Sequence, residues 1–222
     1  MERHEPPHGG SGAAPRPDTD DAPPDPREGL AIVAAQRRRV RDTDVDNRLM
    51  FGVWGVAWLV GYAAQWWTAT TSPTHTSTGR GGLVFAAVAA VAMVITIVHV
   101  ARATHGIAGT SQQVGIMYGW AWAIGFTGQG LIVAGVVGAG ANPVVIAVVA
   151  NGIACVVVGL LYMAGGALWR EVSMYLIGAW MIVTAGAASL VPMPDGYLVM
   201  AFAGGGGMLV AAVLAALRRR RA

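Results

Sequence analysis

Three amide side chains lie inside long apolar stretches of this chain, and they are the residues best suited to bind a solute. Gln65, Gln129 and Asn151 occupy similar depths in three of these stretches. An amide carries donors and an acceptor but no charge, so a cluster of amides would suit a neutral or zwitterionic solute. The same groups could instead clasp neighbouring helices, at roughly 0.6 kcal/mol per hydrogen bond in a bilayer. The sequence leaves both interpretations open.

Two tryptophans lie deep in the same stretches. Trp58 and Trp122 could form an aromatic wall against a cationic ligand, because the face of an indole ring attracts positive charge. No acidic residue accompanies them in the apolar stretches. The remaining tryptophans mostly fall near the ends of the stretches, as is typical of membrane-interface residues.

The chemistry that the sequence lacks is equally informative. No Asp, Glu, Lys or Arg lies inside any apolar stretch, so there is no buried carboxylate to carry a proton. There is no nucleophile-plus-base pair, no phosphate-binding loop and no Cys/His pattern for a metal, and Cys155 is the only cysteine. We therefore expect no enzymatic activity, no cofactor, no metal and no nucleic-acid partner.

Charges are confined to short gaps between apolar runs. From Leu49 to Leu217 the charged residues are Arg80, Arg102, Arg170, Glu171 and Asp195. Lipid penalises a charge by several kcal/mol, and about 20 apolar residues suffice to cross its hydrocarbon. The runs are 49–67, 83–101, 115–138, 143–168, 173–191 and 197–217. The sequence thus predicts an all-α, polytopic transmembrane bundle with six spanning helices over residues 49–217.

Arginine placement predicts the orientation. Arg48, Arg102, Arg170 and the C-terminal arginines fall in alternate connections, whereas the opposite connections, 68–82, 138–142 and 192–196, contain only Arg80. The positive-inside rule then places both termini in the cytoplasm. The abundance of Ala, Gly, Val and Arg, with no Lys, is typical of a GC-rich bacterial genome, so we expect the inner cell membrane.

The segments outside the apolar domain have distinct compositions. Residues 1–24 are rich in Pro, Gly and Asp and are predicted to be a disordered tail. Residues 25–48 predict an amphipathic juxtamembrane helix and an acidic spacer, and residues 218–222 a basic tail. The predicted contacts to anionic lipid headgroups are Arg37, Arg38, Arg39, Arg41, Arg218, Arg219, Arg220 and Arg221. A cytosolic helix without a membrane role is the alternative for residues 25–48.

Two apolar runs share a motif. Residues 58–65 and 122–129 both fit Trp-x-x-Gly-aromatic-x-x-Gln. The copies lie in the first and third spans, so both would cross the membrane in the same direction. We therefore predict three helix-hairpin repeats, the third diverged. Such repeats occur in transporter folds and also arise by duplication in passive scaffolds.

Small residues form stripes along three predicted helices. They are Gly82/Ala86/Ala90, Gly115/Gly119 and Ala203/Gly207/Ala211. Small residues four apart allow helix backbones to approach closely. The run Gly204–Gly207 either serves such packing or forms a hinge or unwound stretch facing a cavity.

The apolar domain as a whole resembles a group of small, uncharacterised six-helix bacterial membrane proteins loosely labelled transporters. The resemblance covers most of residues 27–217, including the arginine-rich lead-in and the segment 51–58 (FGVWGVAW). It implies a transporter-like function, and it carries over no functional residue.

Two functions follow as hypotheses. The first is a transporter-like unit of unknown substrate, in a homo-oligomer or with a membrane partner subunit. The second is a non-transporting scaffold or sensor that engages a cytosolic partner through its N-terminal segment. Transport requires a continuous polar cavity reaching the three amides, whereas a scaffold predicts a dry, tightly packed bundle.

Overall fold

The computed structural model describes residues 29–30, 46–105 and 110–221, apart from the side chains of residues 110, 111 and 219–221. The chain divides into two units, Met1–Asp42 and Thr43–Ala222. In the first unit, Gly29 and Leu30 are helical and exposed. The rest of the predicted tail and amphipathic helix, with its four lipid-contact arginines, lies outside the described residues.

The second unit is helical and confirms the six predicted spans. Each span has a helix long and apolar enough to cross a membrane. The helices are α1 (Asn47–Thr70), α2 (Gly79–Ala103), α3 (Thr110–Gly138), α4 (Pro143–Trp169) and α5 (Val172–Leu190), followed by a sixth spanning helix in three parts. These parts are α6 (Gly196–Val199), a π-helical turn (Met200–Gly205) and α7 (Gly206–Arg221). The part of the chain that the structure describes contains no strand.

Side-chain caps fix where several helices begin. The carboxylate of Asp46 accepts from the backbone N–H of Arg48 at the start of α1. Asn142 accepts from the N–H of Val145 at 2.9 Å at the start of α4, where Pro143 is the first helical residue. Proline suits that position because its missing N–H would have no helical partner. Capping therefore begins α1 two residues ahead of its apolar run, and it begins α4 at the first residue of its run.

Consecutive helices run antiparallel. Between α1 and α2, the backbone N–H of Asp46 donates to His99 Nε2 at 3.0 Å, and further along α1 the indole of Trp54 donates to Thr96 Oγ1 at 3.0 Å. Contacts between α3 and α4 and between α4 and α5 follow the same reversed order. The connections therefore alternate between two ends of the bundle. One end carries Arg48, Arg102, Arg170 and Arg218, and we call it the arginine-rich end.

Four of the six spans form the core. Buried side chains come from α1, α4, α5 and the sixth spanning helix; they include Phe51, Trp58, Tyr62, Cys155, Tyr162, Met181, Met200 and Met208. In contrast, α2 buries only Gly81 and Ala92. No described residue of α3 is fully buried, and this helix packs on α4. Both α2 and α3 thus lie at the edge of the core with one side open.

Glycines determine how closely α4 and α5 pack. Gly152, Gly159 and Gly166 recur every seven residues along α4 and meet α5. A Cβ placed on Gly159 would lie 2.7 Å from the carbonyl oxygen of Gly178, and one on Gly166 would lie 2.6 Å from the backbone nitrogen of Tyr175. Only glycine permits such contact between backbones, which supplies the van der Waals packing that holds membrane helices together.

Two of the three predicted small-residue stripes are exposed. A Cβ placed on Gly82, Gly115 or Gly119 would meet no atom within 4 Å. The stripe on the sixth spanning helix does pack, since Gly207 lies against the indole of Trp180. The three-hairpin repeat is not shown by this arrangement, because α1 belongs to the core whereas α3, with the second copy of the motif, lies at its edge.

Candidate functional site

Gln129 joins α3 to α4. Its half-buried side chain donates from Nε2 to the carbonyl oxygen of Ala150 at 2.9 Å. That carbonyl belongs to the residue directly before Asn151. The predicted amides Gln129 and Asn151 therefore lie at the same level of the α3–α4 pair. The hydrogen bond of Gln129 joins the two helices, as the second interpretation of the amides expects.

Asn151 lines a small cavity between α4, α5 and the sixth spanning helix. Its Nδ2 donates to the carbonyl oxygen of Ala147, one turn earlier, at 2.7 Å. The cavity is also lined by Ser189, Tyr197 and Met200, and its volume is about 10 Å³. A volume of this size holds a single water molecule and no larger solute.

Gln65 lies on α1, which packs against α2 and the sixth spanning helix. Its side chain is half-buried and makes no hydrogen bond with any residue in the described part of the chain. Its backbone carbonyl accepts from Thr68 Oγ1 at 3.1 Å. Of the three predicted amides, Asn151 is the one that lines the small cavity, so a shared solute site for all three stays a prediction.

The two deep tryptophans belong to different aromatic groups. Trp58 is buried on α1, edge-on to Tyr62 with ring centroids 5.2 Å apart. Trp122 on α3 is half-buried and edge-on to Tyr162, with centroids 5.7 Å apart. Each ring fills space between helices. Their predicted role against a cationic ligand is untested by this geometry.

The glycine run Gly204–Gly207 lies at a π-helical turn. A Cβ on Gly205 would lie 2.6 Å from the backbone nitrogen of Leu59 and 2.9 Å from the carbonyl oxygen of Gly55, so the turn rests directly on α1. The indole Nε1 of Trp180 donates to the carbonyl oxygen of Ala203, within the turn, at 2.7 Å. A π turn displaces the regular ladder of hydrogen bonds, and this tryptophan satisfies a carbonyl there. The packing interpretation of the run accounts for these contacts.

Polar groups also lie in the centre of the core. The thiol of Cys155 donates to the carbonyl oxygen of Met181 at 3.0 Å. One turn along α5, the buried hydroxyl of Thr184 has no hydrogen-bond partner in the described part of the chain. Tyr62 and Tyr162 bring two more hydroxyls into the core. Neither tyrosine is among the site residues predicted from the sequence; the available signal is a tyrosine inside an otherwise apolar span.

The predicted lipid contacts can be followed only at the end of α7. Arg218 is exposed, and the side chains of residues 219–221 are outside the described part. No group of three His, Cys, Asp or Glu side chains that could hold a metal ion occurs among the residues that the structure describes. Comparisons with protein-family models, with curated proteins and with solved structures give no match to this chain.

Proposed function

We propose that this chain is a non-transporting membrane scaffold. The observation that supports this best is direct contact between helix backbones inside the bundle, at Gly205 against α1 and at Gly159 against Gly178. A solute path between these helices would have to pass where their backbones touch. The side chains of Cys155 on α4 and Met181 on α5 are fully buried, and they fill the space between these two helices.

The amides support the same choice. Gln129 donates to a carbonyl of the neighbouring helix, as expected of a group that holds helices together in lipid, and Asn151 donates to a carbonyl of its own helix. The cavity beside Asn151 is the size of one water molecule. A transporter-like function, with the substrate unknown, stays a prediction that would require a path completed by another chain or by a different conformation.

The scaffold would act at the membrane surface and within the bilayer. We propose that both termini are cytoplasmic, in the inner membrane, with the arginine-rich end against anionic lipid and the N-terminal segment free to engage a cytosolic partner. Arg48, Arg102, Arg170 and Arg218 lie at that one end, which supports this orientation under the positive-inside rule.

A flux measurement separates the two functions. Proteoliposomes containing the full chain are transferred into isosmotic solutions of neutral and zwitterionic solutes, and swelling is followed by light scattering. The scaffold proposal predicts the swelling rate of protein-free liposomes. Swelling that depends on the protein and is lost in Gln129→Leu would overturn the scaffold in favour of transport.

We also propose that the protein forms a homo-oligomer. The open sides of α2 and α3 support this proposal, because a second copy could pack against them. Gly119 on α3 is exposed with nothing within 4 Å of its Cβ position, and so is Gly186 on α5. If a second copy packs on α3, Gly119→Leu lowers the oligomer fraction in single-molecule photobleaching, and Gly186→Leu leaves it unchanged. A monomeric wild type, or equal effects of both substitutions, would exclude this interface.

A further inference from the structure

An open groove lies at the end of the bundle opposite the arginine-rich end. It runs between the last turn of α1 and the first turn of α2 and has a volume of about 600 Å³. Trp67 and Leu83 form its apolar sides, and Thr71, Thr78 and Arg80 supply its polar groups. Nothing in the proposed scaffold function uses this groove.

Close packing fixes the shape of the groove. Gly81 is buried where α2 crosses α1, and a Cβ there would lie 2.6 Å from Ser77 Oγ and 3.1 Å from the carbonyl oxygen of Ala64. The connection before α2 is held to the sixth spanning helix by the N–H of Ser77, which donates to Tyr197 Oη at 3.2 Å. The two helix ends that form the groove are thus anchored at two points.

The groove carries an unneutralised positive charge. Arg80 is exposed and has no ion-pair partner in the described part of the chain. The acidic residue at this end, Asp195, accepts from the indole of Trp66 at 3.2 Å. The hydroxyl of Thr78 has no hydrogen-bond partner among the described residues. An anion that accepts hydrogen bonds would satisfy both Arg80 and Thr78.

The groove is also apolar on both sides. Trp67 is 70% exposed and Leu83 is 72% exposed. Tryptophan at the end of a spanning helix lies at the headgroup level, where hydrocarbon and phosphate meet. The ligand that fits is therefore an amphiphile with an anionic head and apolar chains.

We propose that this groove binds an anionic phospholipid, with its phosphate at Arg80 and its acyl chains along Trp67 and Leu83. A zwitterionic lipid fits less well, because its own ammonium group already neutralises the negative charge of its phosphate and leaves less for Arg80 to bind. A soluble phosphate ester would contact Arg80 and Thr78 and would leave Trp67 and Leu83 against the surrounding lipid. The proposal is independent of the scaffold function and concerns the opposite end of the bundle from the predicted lipid contacts.

Amide hydrogen exchange over residues 71–83 tests the proposal. The full-length protein is placed in nanodiscs of phosphatidylcholine alone or with phosphatidylglycerol added. We expect phosphatidylglycerol to slow exchange in this segment several-fold in the wild type and in Arg102→Gln, which alters an exposed arginine at the other end of α2. The effect should be lost in Arg80→Gln and retained in Arg80→Lys, which keeps the charge.

Three outcomes would overturn the proposal. They are equal exchange with and without phosphatidylglycerol in the wild type, full protection in Arg80→Gln, and the same protection when soluble glycerol phosphate replaces the lipid. Arg80 has no intramolecular partner in the described part of the chain, so both Arg80 variants should unfold at the wild-type temperature, and this measurement accompanies each exchange experiment.

Discussion

At the residue scale, what a glycine does in this bundle depends on what a side chain would meet there. Gly205 and Gly206 are neighbours in the same run. The Cβ position of Gly205 is blocked by the backbone of α1, whereas that of Gly206 has no atom within 4 Å. One glycine is required for helix contact and the other is not, although the sequence alone treats them alike.

Gly205→Ala should therefore destabilise the bundle and Gly206→Ala should not. The added methyl group at residue 205 must push α1 and the π turn apart, at a cost of about 1–3 kcal/mol for overpacking. The free energy of unfolding in detergent micelles, from denaturant titration of each purified variant, gives the comparison. Equal stabilities would refute the contact between the turn and α1.

Gln129→Leu should have a small effect on stability. It removes the hydrogen bond to Ala150, and bonds of this kind contribute roughly 0.6 kcal/mol in a bilayer. Asn151→Leu is the comparison, because the Asn151 donor bonds within its own helix. We expect Gln129→Leu to lower the free energy of unfolding by under about 1.7 kcal/mol, the upper end for such bonds. A larger loss would mean that Gln129 has a role beyond joining α3 to α4.

At the element scale, hydropathy predicts the existence and order of the spans, and it does not predict their exact ends. The structure begins α3 at Thr110, ahead of the predicted residue 115, because polar residues continue a helix beyond the apolar run. Similarly, α1 begins at Asn47 because Asp46 caps it. Helix ends are determined by capping and solvation, which an apolar-run count does not include.

The sequence could not indicate which small-residue stripes meet. Spanning helices are apolar on every side, so no polar face marks the side that turns outward. The stripe at Gly115 and Gly119 is exposed, while glycines every seven residues along α4, such as Gly159, meet α5. The sequence does not indicate the π turn either, because a run of glycines specifies neither the geometry of the turn nor the tryptophan that bonds to it.

Trp180→Phe should weaken the sixth spanning helix. The substitution keeps an aromatic ring and removes the hydrogen bond to Ala203 in the π turn. We expect a lower unfolding midpoint, corresponding to roughly 0.6 kcal/mol and at most about 1.7 kcal/mol. Trp120→Phe is the control, since Trp120 is 62% exposed and makes no hydrogen bond with described residues. If the two variants melt together, the bond does not support the turn.

At the scale of the whole molecule, the composition of the sequence predicts that lipid surrounds the helices, and it predicts much less about the function of the protein. Confinement of charges to the connections predicted a membrane bundle, and the six apolar helices confirm it. The predicted amide cluster stays a prediction: Gln129 and Asn151 lie at one level of the α3–α4 pair, and Gln65 lies on α1. Side-chain direction around a helix decides such clustering, and apolar spans give little information about it.

Cysteine labelling in sealed, right-side-out vesicles tests the central claim of six antiparallel spans most directly. Cys155 is fully buried and should stay unlabelled. In four variants, each with one cysteine introduced at residue 75, 104, 140 or 170, labelling therefore reports on which side of the membrane that residue lies. A membrane-impermeant maleimide added outside should label His75→Cys and Gly140→Cys, which lie at the end opposite the arginine-rich end. Thr104→Cys and Arg170→Cys should react only after the vesicles are opened. Labelling of all four from outside, or of residues 75 and 140 from opposite sides, would contradict the six-span bundle.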